Sequence, residues 1–174
     1  MPLHPPAFTF DVDELEAAFR QRPKALVLCN PSNPCGRVFT REELLTIAEM
    51  ATKYDTYVIT DEVYEHIVYA PTGTPTSPPC RGCGTGRCPA PPCPRPTPSP
   101  AGGWLSHRPA EVIEHAKKVH DFLTVGAAPL QEAACVGVRF PQSYYKELTA
   151  LYTRKRDVFL AGLDRLGLKH NVPQ

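Results

Sequence analysis

The 174-residue sequence contains no long apolar segment and no strong excess of either charge. Its apolar runs fall well short of the roughly 20 residues that a helix needs to cross a bilayer. The formal net charge is +1, from 19 basic and 18 acidic residues, and no dense Lys/Arg patch is present. The first residues carry neither the basic leader nor the apolar core of a signal peptide. These features predict a soluble, cytoplasmic protein without a membrane or nucleic-acid partner.

The cysteines do not follow the pattern of a disulfide scaffold, because seven is an odd number and no secretory signal accompanies them. Three of them (Cys29, Cys35 and Cys135) are scattered through ordinary α/β sequence, where reduced and partly buried thiols are expected. The other four lie in one short stretch: Cys80, Cys83, Cys88 and Cys93. Four thiolates can bind zinc, although this stretch has a single CxxC pair and prolines crowd its last cysteine. A small zinc site is one alternative for it.

Composition divides the chain into three segments, 1–70, 71–108 and 109–174. The first has the alternating pattern of an α/β domain and the third has helical periodicity. Eleven of the 21 prolines lie between Pro71 and Pro100. Prolines at this density remove backbone donors and prevent regular structure. We therefore predict a disordered, low-complexity Pro/Cys-rich insert between two structured segments.

The first segment is predicted to fold as helix, strand, helix and strand. The elements are, in order, a helix at Val12–Phe19, a strand at Ala25–Cys29, a helix behind the capping box Thr40–Glu43, and a strand at Tyr57–Thr60. The first strand is apolar throughout, which is typical of a parallel strand buried on both faces. The second strand, reached through the capped helix, completes a right-handed βαβ unit. In the third segment, helices are predicted at Glu111–Leu123 and Gln142–Leu166, with Gly167 as the stop signal.

Polar clusters follow both predicted strands. The first is Asn30–Gly36, with the sequence NPSNPCG, and the second is Asp61–Tyr64, with the sequence DEVY. The carboxyl ends of parallel strands meet at one edge of a sheet, where open α/β sheets bind ligands. We therefore expect an amide, a carboxylate and a phenol to lie close together at this edge.

The segment NPSNPCGRVFTREEL…DEVYEHIVY resembles the large domain of class I/II aminotransferases, which are pyridoxal-phosphate enzymes of the aspartate-aminotransferase fold (PLP fold type I). Within that family it is most similar to the kynurenine–oxoglutarate transaminases, also called cysteine-S-conjugate β-lyases. The later run KKVHDFLTVGAAPLQEAACVGVRFPQSYYKELTALYTRKRDVFLAGL is similar to the part of those enzymes that follows the cofactor lysine. The resemblance implies an α/β fragment of that large domain. It also implies amino acid and 2-oxo acid substrates, and a homodimer or a heterodimer with a full-length relative.

The resemblance also implies a role for each polar residue of the two clusters. Asp61 would lie beside the pyridine nitrogen of pyridoxal 5'-phosphate and keep it protonated, since an opposing charge favours the charged form. Asn33 and Tyr64 would donate hydrogen bonds to the phenolic oxygen of the cofactor ring. These three residues are the predicted cofactor-binding set, and no metal ligand is predicted among them.

The lysine that this chemistry requires is missing from the sequence. In the family, a lysine that forms a Schiff base with the cofactor lies in the region that here is the Pro/Cys-rich insert. No lysine occurs between Lys53 and Lys117, and Lys117 and Lys118 match helix positions beyond the cofactor lysine. We therefore expect a truncated aminotransferase-family protein that is inactive alone. The alternatives are a non-catalytic partner of a full-length aminotransferase and the zinc-binding Cys cluster.

Overall fold

The computed structural model describes residues 2–69, 114–115, 117–119, 128–137 and 139–174. Its elements are α1 (Val12–Arg20), β1 (Ala25–Cys29), α2 (Arg41–Lys53), β2 (Tyr57–Asp61), α3 (Ala128–Gly137) and α4 (Gln142–Arg165). Residues 114–115 and 117–119 are helical, in agreement with the helix predicted there. The predicted insert at 71–108, with its cysteine cluster, lies outside the described residues. Within the described part of the chain, no helix is both long and apolar enough to cross a bilayer.

The first helix begins at a capping aspartate and packs one face on the core. Asp11 is the N-cap, and its carboxylate accepts hydrogen bonds from Asp13 N (2.8 Å) and Glu14 N (3.0 Å). This satisfies two of the backbone donors that a helix start leaves without an intrahelical partner. Leu15 and Phe19, four residues apart on one face, are both buried. The predicted helix is confirmed, with one additional residue at its end.

The second helix begins at the predicted capping box. Glu43 N donates to Thr40 Oγ1 (3.2 Å), and Thr40 N donates to Glu43 Oε2 (2.8 Å). The two residues therefore satisfy each other's exposed donors at the first turn. Behind the box, Leu44, Ile47 and Ala51 are buried at helical spacing. This face of α2 packs in the same core as α1.

The two strands form a parallel pair, as predicted, with register from Ala25 opposite Tyr57 to Cys29 opposite Asp61. Only one face of this pair is covered in the described part of the chain. Val58 is 2% exposed, whereas Val27, on the other face, is 69% exposed. The prediction that β1 is buried on both faces is therefore wrong. An apolar parallel strand needs helices on both sides of its sheet, and the described helices cover one side.

An apolar cluster joins α1 and α2 to the covered face of the sheet. Its buried members are Leu15, Phe19, Leu28, Phe39, Leu44, Ile47, Ala51 and Val58. A buried hydrogen bond adds to this packing: the Thr56 hydroxyl donates to Pro23 O at 3.0 Å. Burial of these side chains is the main favourable contribution to folding of the first segment.

The long helix α4 ends as the sequence indicates. Gly167 has a φ of 68°, a left-handed conformation that glycine adopts at little cost. Leu168 N donates to Leu163 O, and Gly167 N donates to Asp164 O, both at 3.0 Å. These two bonds form a Schellman motif. Much of the apolar surface of α4 is uncovered, since Tyr145 is buried but Phe159 is 66% exposed.

Candidate ligand-binding site

The loop that follows β1 is fixed by a buried asparagine, Asn30. Its backbone N donates to Asp61 O (3.0 Å), and its side-chain Oδ1 accepts from Phe39 N (3.0 Å). Asn30 is only 3% exposed, and a buried polar group without a hydrogen-bond partner is costly. Its two hydrogen bonds avoid that cost. The loop is therefore held at both of its ends, beside the carboxyl end of β2. Sequence reasoning placed Asn30 in the first cluster but gave it no role.

The tip of this loop is a tight turn that needs glycine. Ser32 N donates to Arg37 O (2.7 Å), and Gly36 N donates to Ser32 O (2.9 Å). Gly36 has a φ of 65°, and a Cβ built there would lie 2.6 Å from the Cβ of Pro173. Both the backbone conformation and the close approach exclude a side chain. Asn33, two residues into the turn from Pro31, is exposed at the surface.

The structure brings two of the three predicted cofactor residues into direct contact. Asn33 Nδ2 donates to Tyr64 Oη at 2.9 Å, across 31 positions of sequence. Asp61 is the last residue of β2, and its Oδ1 accepts from Val63 N at 3.3 Å. All three residues thus lie at, or just beyond, the carboxyl ends of the two strands. This edge of the sheet therefore presents a carboxylate that accepts hydrogen bonds, and an amide and a phenol that can donate them.

A buried arginine, Arg37, forms an ion pair that holds the loop against α2. Sequence reasoning did not identify it. Arg37 is buried, and its Nη2 pairs with the Glu43 carboxylate of the capping box. Its Nη1 donates to Ala7 O at 2.5 Å, and the guanidinium lies 5.5 Å from the centroid of the Phe39 ring. An arginine after a turn is usually solvated, so the sequence offered no signal for this burial.

The last residues of the chain also contact this loop. Gln174 N donates to Gly36 O (2.7 Å), and Gln174 Oε1 accepts from Val38 N (3.0 Å). Arg156 of α4 donates to Pro173 O at 3.5 Å. These contacts link α4 to the turn that carries Asn33. No local pattern in the sequence indicates them, since the residues are more than 130 positions apart.

The segment just beyond Asp61 packs on α4. The His66 ring stacks on Tyr145, with centroids 4.1 Å apart, and Thr149 Oγ1 donates to His66 O at 2.6 Å. Glu65, beside it, is largely buried and lies 3.4 Å from His66 Nε2. Burial and, second, the negative charge of Glu62 raise the pKa of Glu65 to about 8. Burial also lowers the pKa of His66.

The raised pKa of Glu65 predicts a pH-dependent stability. The folded chain holds this proton up to about pH 8, whereas an unfolded glutamic acid loses it near its ordinary value of 4.5. The unfolded state therefore binds fewer protons in this window, and the free energy of unfolding falls as pH rises. Glu65→Gln should flatten the decline, which urea melts at pH 7 and pH 8 would measure.

The control for this prediction is Glu147→Gln, which changes an exposed glutamate on α4. It should leave the pH dependence unchanged. The chosen window lies above the ordinary pKa of histidine, 6.5, so His66 contributes little to the slope there. Equal slopes for the Glu65→Gln variant and the unaltered chain would contradict the assignment.

The remaining predicted positions are mostly as expected. Lys117 is exposed and lies 3.8 Å from Glu114, and Lys118 is exposed as well, which agrees with solvated helix positions. Cys29 and Cys35 are partly buried and reduced. Cys135 is reduced as well, but its predicted partial burial is wrong: it is exposed, because no other described element covers that side of α3.

Comparison with known proteins relates this chain to one family. The family described as aminotransferase class I and II matches residues 1–81. Kynurenine–oxoglutarate transaminase 3 of Mus musculus is 37% identical over 185 residues, which cover 95% of this chain and 38% of the mouse protein.

Solved structures show the same fold. N-succinyldiaminopimelate aminotransferase from Mycobacterium tuberculosis matches with a TM-score of 0.78 at 29% identity, over 96% of this chain and 44% of that one. Aspartate aminotransferase from Thermus thermophilus with maleate matches with a TM-score of 0.71 at 28% identity, over the same two shares. The chain thus has part of the aspartate-aminotransferase fold and spans about two fifths of the length of the proteins it matches.

Proposed function

This chain belongs to the class I and II aminotransferase family, and on that premise we propose that Asn33, Asp61 and Tyr64 form the ring-binding wall of a pyridoxal 5'-phosphate site. The observation that carries the proposal is the 2.9 Å hydrogen bond from Asn33 Nδ2 to Tyr64 Oη, at the sheet edge where β2 ends in Asp61. Two donors and one carboxylate at this edge are the groups that the substituted pyridine ring of this cofactor would need.

The chemistry of each residue fits that ring. The Asp61 carboxylate would hold a protonated pyridine nitrogen, because a negative neighbour stabilises the positive form. Since the Tyr64 oxygen already accepts from Asn33, its own O–H remains able to donate to the phenolic oxygen of the ring. When bound, pyridoxal phosphate acts as an electron sink for an amino acid carbanion. Asn30 and Arg37 would act indirectly, by holding the loop that positions Asn33.

The proposed substrates are an amino acid and a 2-oxo acid, as the names of the transaminase relatives suggest. We propose that the chain does not transaminate alone, because residues 54–116 contain no lysine and Lys117 and Lys118 are solvated. In this proposal the aminotransferase parts are 1–70 and 109–174, on either side of a Pro/Cys-rich segment at 71–108. Its setting would be the cytoplasm.

A second candidate function is that of a non-catalytic partner of a full-length aminotransferase. The uncovered apolar face of the strand pair, which includes Val27 and Ile59, favours it. Such a face is more stable when another subunit or layer covers it. Co-purification of the two proteins would support this candidate, and a clean failure to associate would remove it.

Asp61→Asn should weaken pyridoxal phosphate binding by about tenfold, since the amide keeps the shape but loses the charge that favours a protonated ring. Tyr64→Phe should weaken it by about fivefold, through loss of one hydrogen bond. The measurement is an absorbance titration of the full chain with the cofactor, which yields Kd for each variant.

The matched controls are Tyr57→Phe, which alters an exposed tyrosine at the start of β2, and Glu49→Gln, which alters an exposed acid on α2. Both should bind as the unaltered chain does. If the four variants had the same Kd, the proposed wall would be wrong. Borohydride reduction and peptide mapping test the inactivity: a stoichiometric cofactor adduct on Lys117 or Lys118 would contradict it.

A further inference from the structure

Two cysteines belong to the loop that carries Asn33. Cys29 is the last residue of β1, and Cys35 lies at the tip of the turn, just before Gly36. Both are reduced and partly buried. Asn33 lies between them in sequence, so any bond between the two sulfurs would enclose it in a small ring. Neither thiol has a role in the proposed cofactor site.

The hydrogen bonds of the loop bring these two residues together. Cys29 Sγ lies 3.3 Å from Pro31 O and donates to it, so its side chain points into the turn. Gly36 N, which is bonded to the carbonyl carbon of Cys35, lies 2.9 Å from Ser32 O. Pro31 and Ser32 are consecutive, so the Cys29 thiol and the residue that follows Cys35 contact neighbouring carbonyls of the same turn.

The electrostatics of Cys29 agree with this proximity. Its pKa is raised first by burial, and then by the negative charges of Asp61 and of the Cys35 thiolate. The backbone N–H of Asn33 acts in the opposite direction, because it hydrogen-bonds the sulfur. The Cys29 sulfur thus contacts Pro31 O and Asn33 N, and it is close enough to Cys35 for the two groups to interact electrostatically.

We propose that Cys29 and Cys35 are a redox-active pair that a peroxide converts to a disulfide across the Asn33 turn. Hydrogen peroxide oxidises the Cys35 thiolate to a sulfenic acid and releases hydroxide, which takes up the thiol proton as water. The Cys29 sulfur then attacks this sulfenic sulfur, and a second water leaves. The sum is two thiols and one peroxide to one disulfide and two waters. A thiol reductant reverses the change.

The order of these steps follows from the surroundings of each sulfur. The reactive form of cysteine is the thiolate, and burial disfavours it at Cys29. The hydrogen bond from Cys29 Sγ to Pro31 O also holds Cys29 in its thiol form, so we assign Cys29 as the resolving thiol. Gly36, which follows Cys35, has a positive φ that other residues adopt only at a cost. A substitution of Gly36 should therefore distort the turn and slow formation of the disulfide.

Peptide mapping tests the pair directly, because trypsin cleavage after Lys24 and Arg37 leaves both cysteines in one peptide, ALVLCNPSNPCGR. The full chain is treated with hydrogen peroxide, alkylated with iodoacetamide and digested. This peptide should then be two hydrogen masses lighter and carry no alkyl group, and dithiothreitol should restore double alkylation. Cys29→Ser and Cys35→Ser should each abolish the lighter form, whereas Cys135→Ser should not.

Alkylation of both thiols after peroxide treatment would overturn the proposal, and so would a disulfide from either one to a different cysteine. The same treatment in urea measures the contribution of the fold: the lighter peptide should form at least about fivefold more slowly there if the turn brings the sulfurs together. If a serine variant fails to fold, the unaltered chain still decides, since its peptide map needs no substitution. The readout is independent of cofactor binding, so the two proposals can fail separately.

Discussion

Phe19→Ala should lower the free energy of unfolding by about 3–5 kcal/mol, because it removes a large buried ring and leaves a cavity. Phe19 is 2% exposed, and its ring stacks on Tyr54 with centroids 6.1 Å apart. It belongs to the cluster that joins α1 and α2 to the covered face of the sheet. Urea denaturation followed by circular dichroism would measure the loss, which amounts to a large share of the stability of a small domain.

Phe159→Ala is the matched control, since it removes the same side chain from an exposed position on α4. It should change the free energy of unfolding by less than about 0.5 kcal/mol. Comparable losses in the two variants would mean that the apolar cluster is not the core that holds the chain together. A large loss at Phe159 alone would place the stabilising contacts on α4 instead.

The local part of the fold could be predicted because its causes are local. The capping box at Thr40 and the stop at Gly167 each act within a few residues of their position. The same is true of β1 and β2, whose apolar runs end where the polar clusters begin. The approach of Asn33 to Tyr64 followed from parallel pairing, which brings the ends of the two strands to one edge.

The wrong and missing predictions share another cause, which is long-range packing. Periodicity shows that β1 is apolar, but it cannot show that the described helices cover one face and leave Val27 exposed. It likewise gives no reason to expect a buried Arg37 or a hydrogen bond from Gln174 N to Gly36 O in the Asn33 turn. Burial of such groups is set by elements that are distant in sequence. The raised pKa of Glu65 could not be predicted for the same reason, because burial is its main cause.

These long-range contacts give the candidate site its support. Arg37 links the turn to α2 through Glu43, and Asn30 links it to β2 through Asp61. Gln174 makes two further hydrogen bonds to the turn. Asn33 itself is exposed, so its position depends on these supports rather than on its own packing. A residue held this way can be displaced by changes that never touch it.

Glu43→Ala should destabilise the chain by roughly 3 kcal/mol, because it leaves the buried Arg37 guanidinium without its carboxylate. Arg37 is buried, and Glu43 Oε1 is the partner of its Nη2. The same substitution removes the acceptor for Thr40 N at the start of α2. The turn that carries Asn33 should loosen with it, which amide hydrogen exchange at Phe39 would detect alongside a urea melt.

Glu42→Ala separates this effect from a general loss of negative charge at the helix start. Glu42 lies in the same first turn but is exposed, so its removal should cost less than about 1 kcal/mol. The double variant Arg37→Met/Glu43→Ala tests the cause further, because removing both charges leaves no buried ion unpaired. It should be more stable than Glu43→Ala alone. If it were less stable, the loss would come from the missing cap and from Arg37 packing, and not from an unpaired charge.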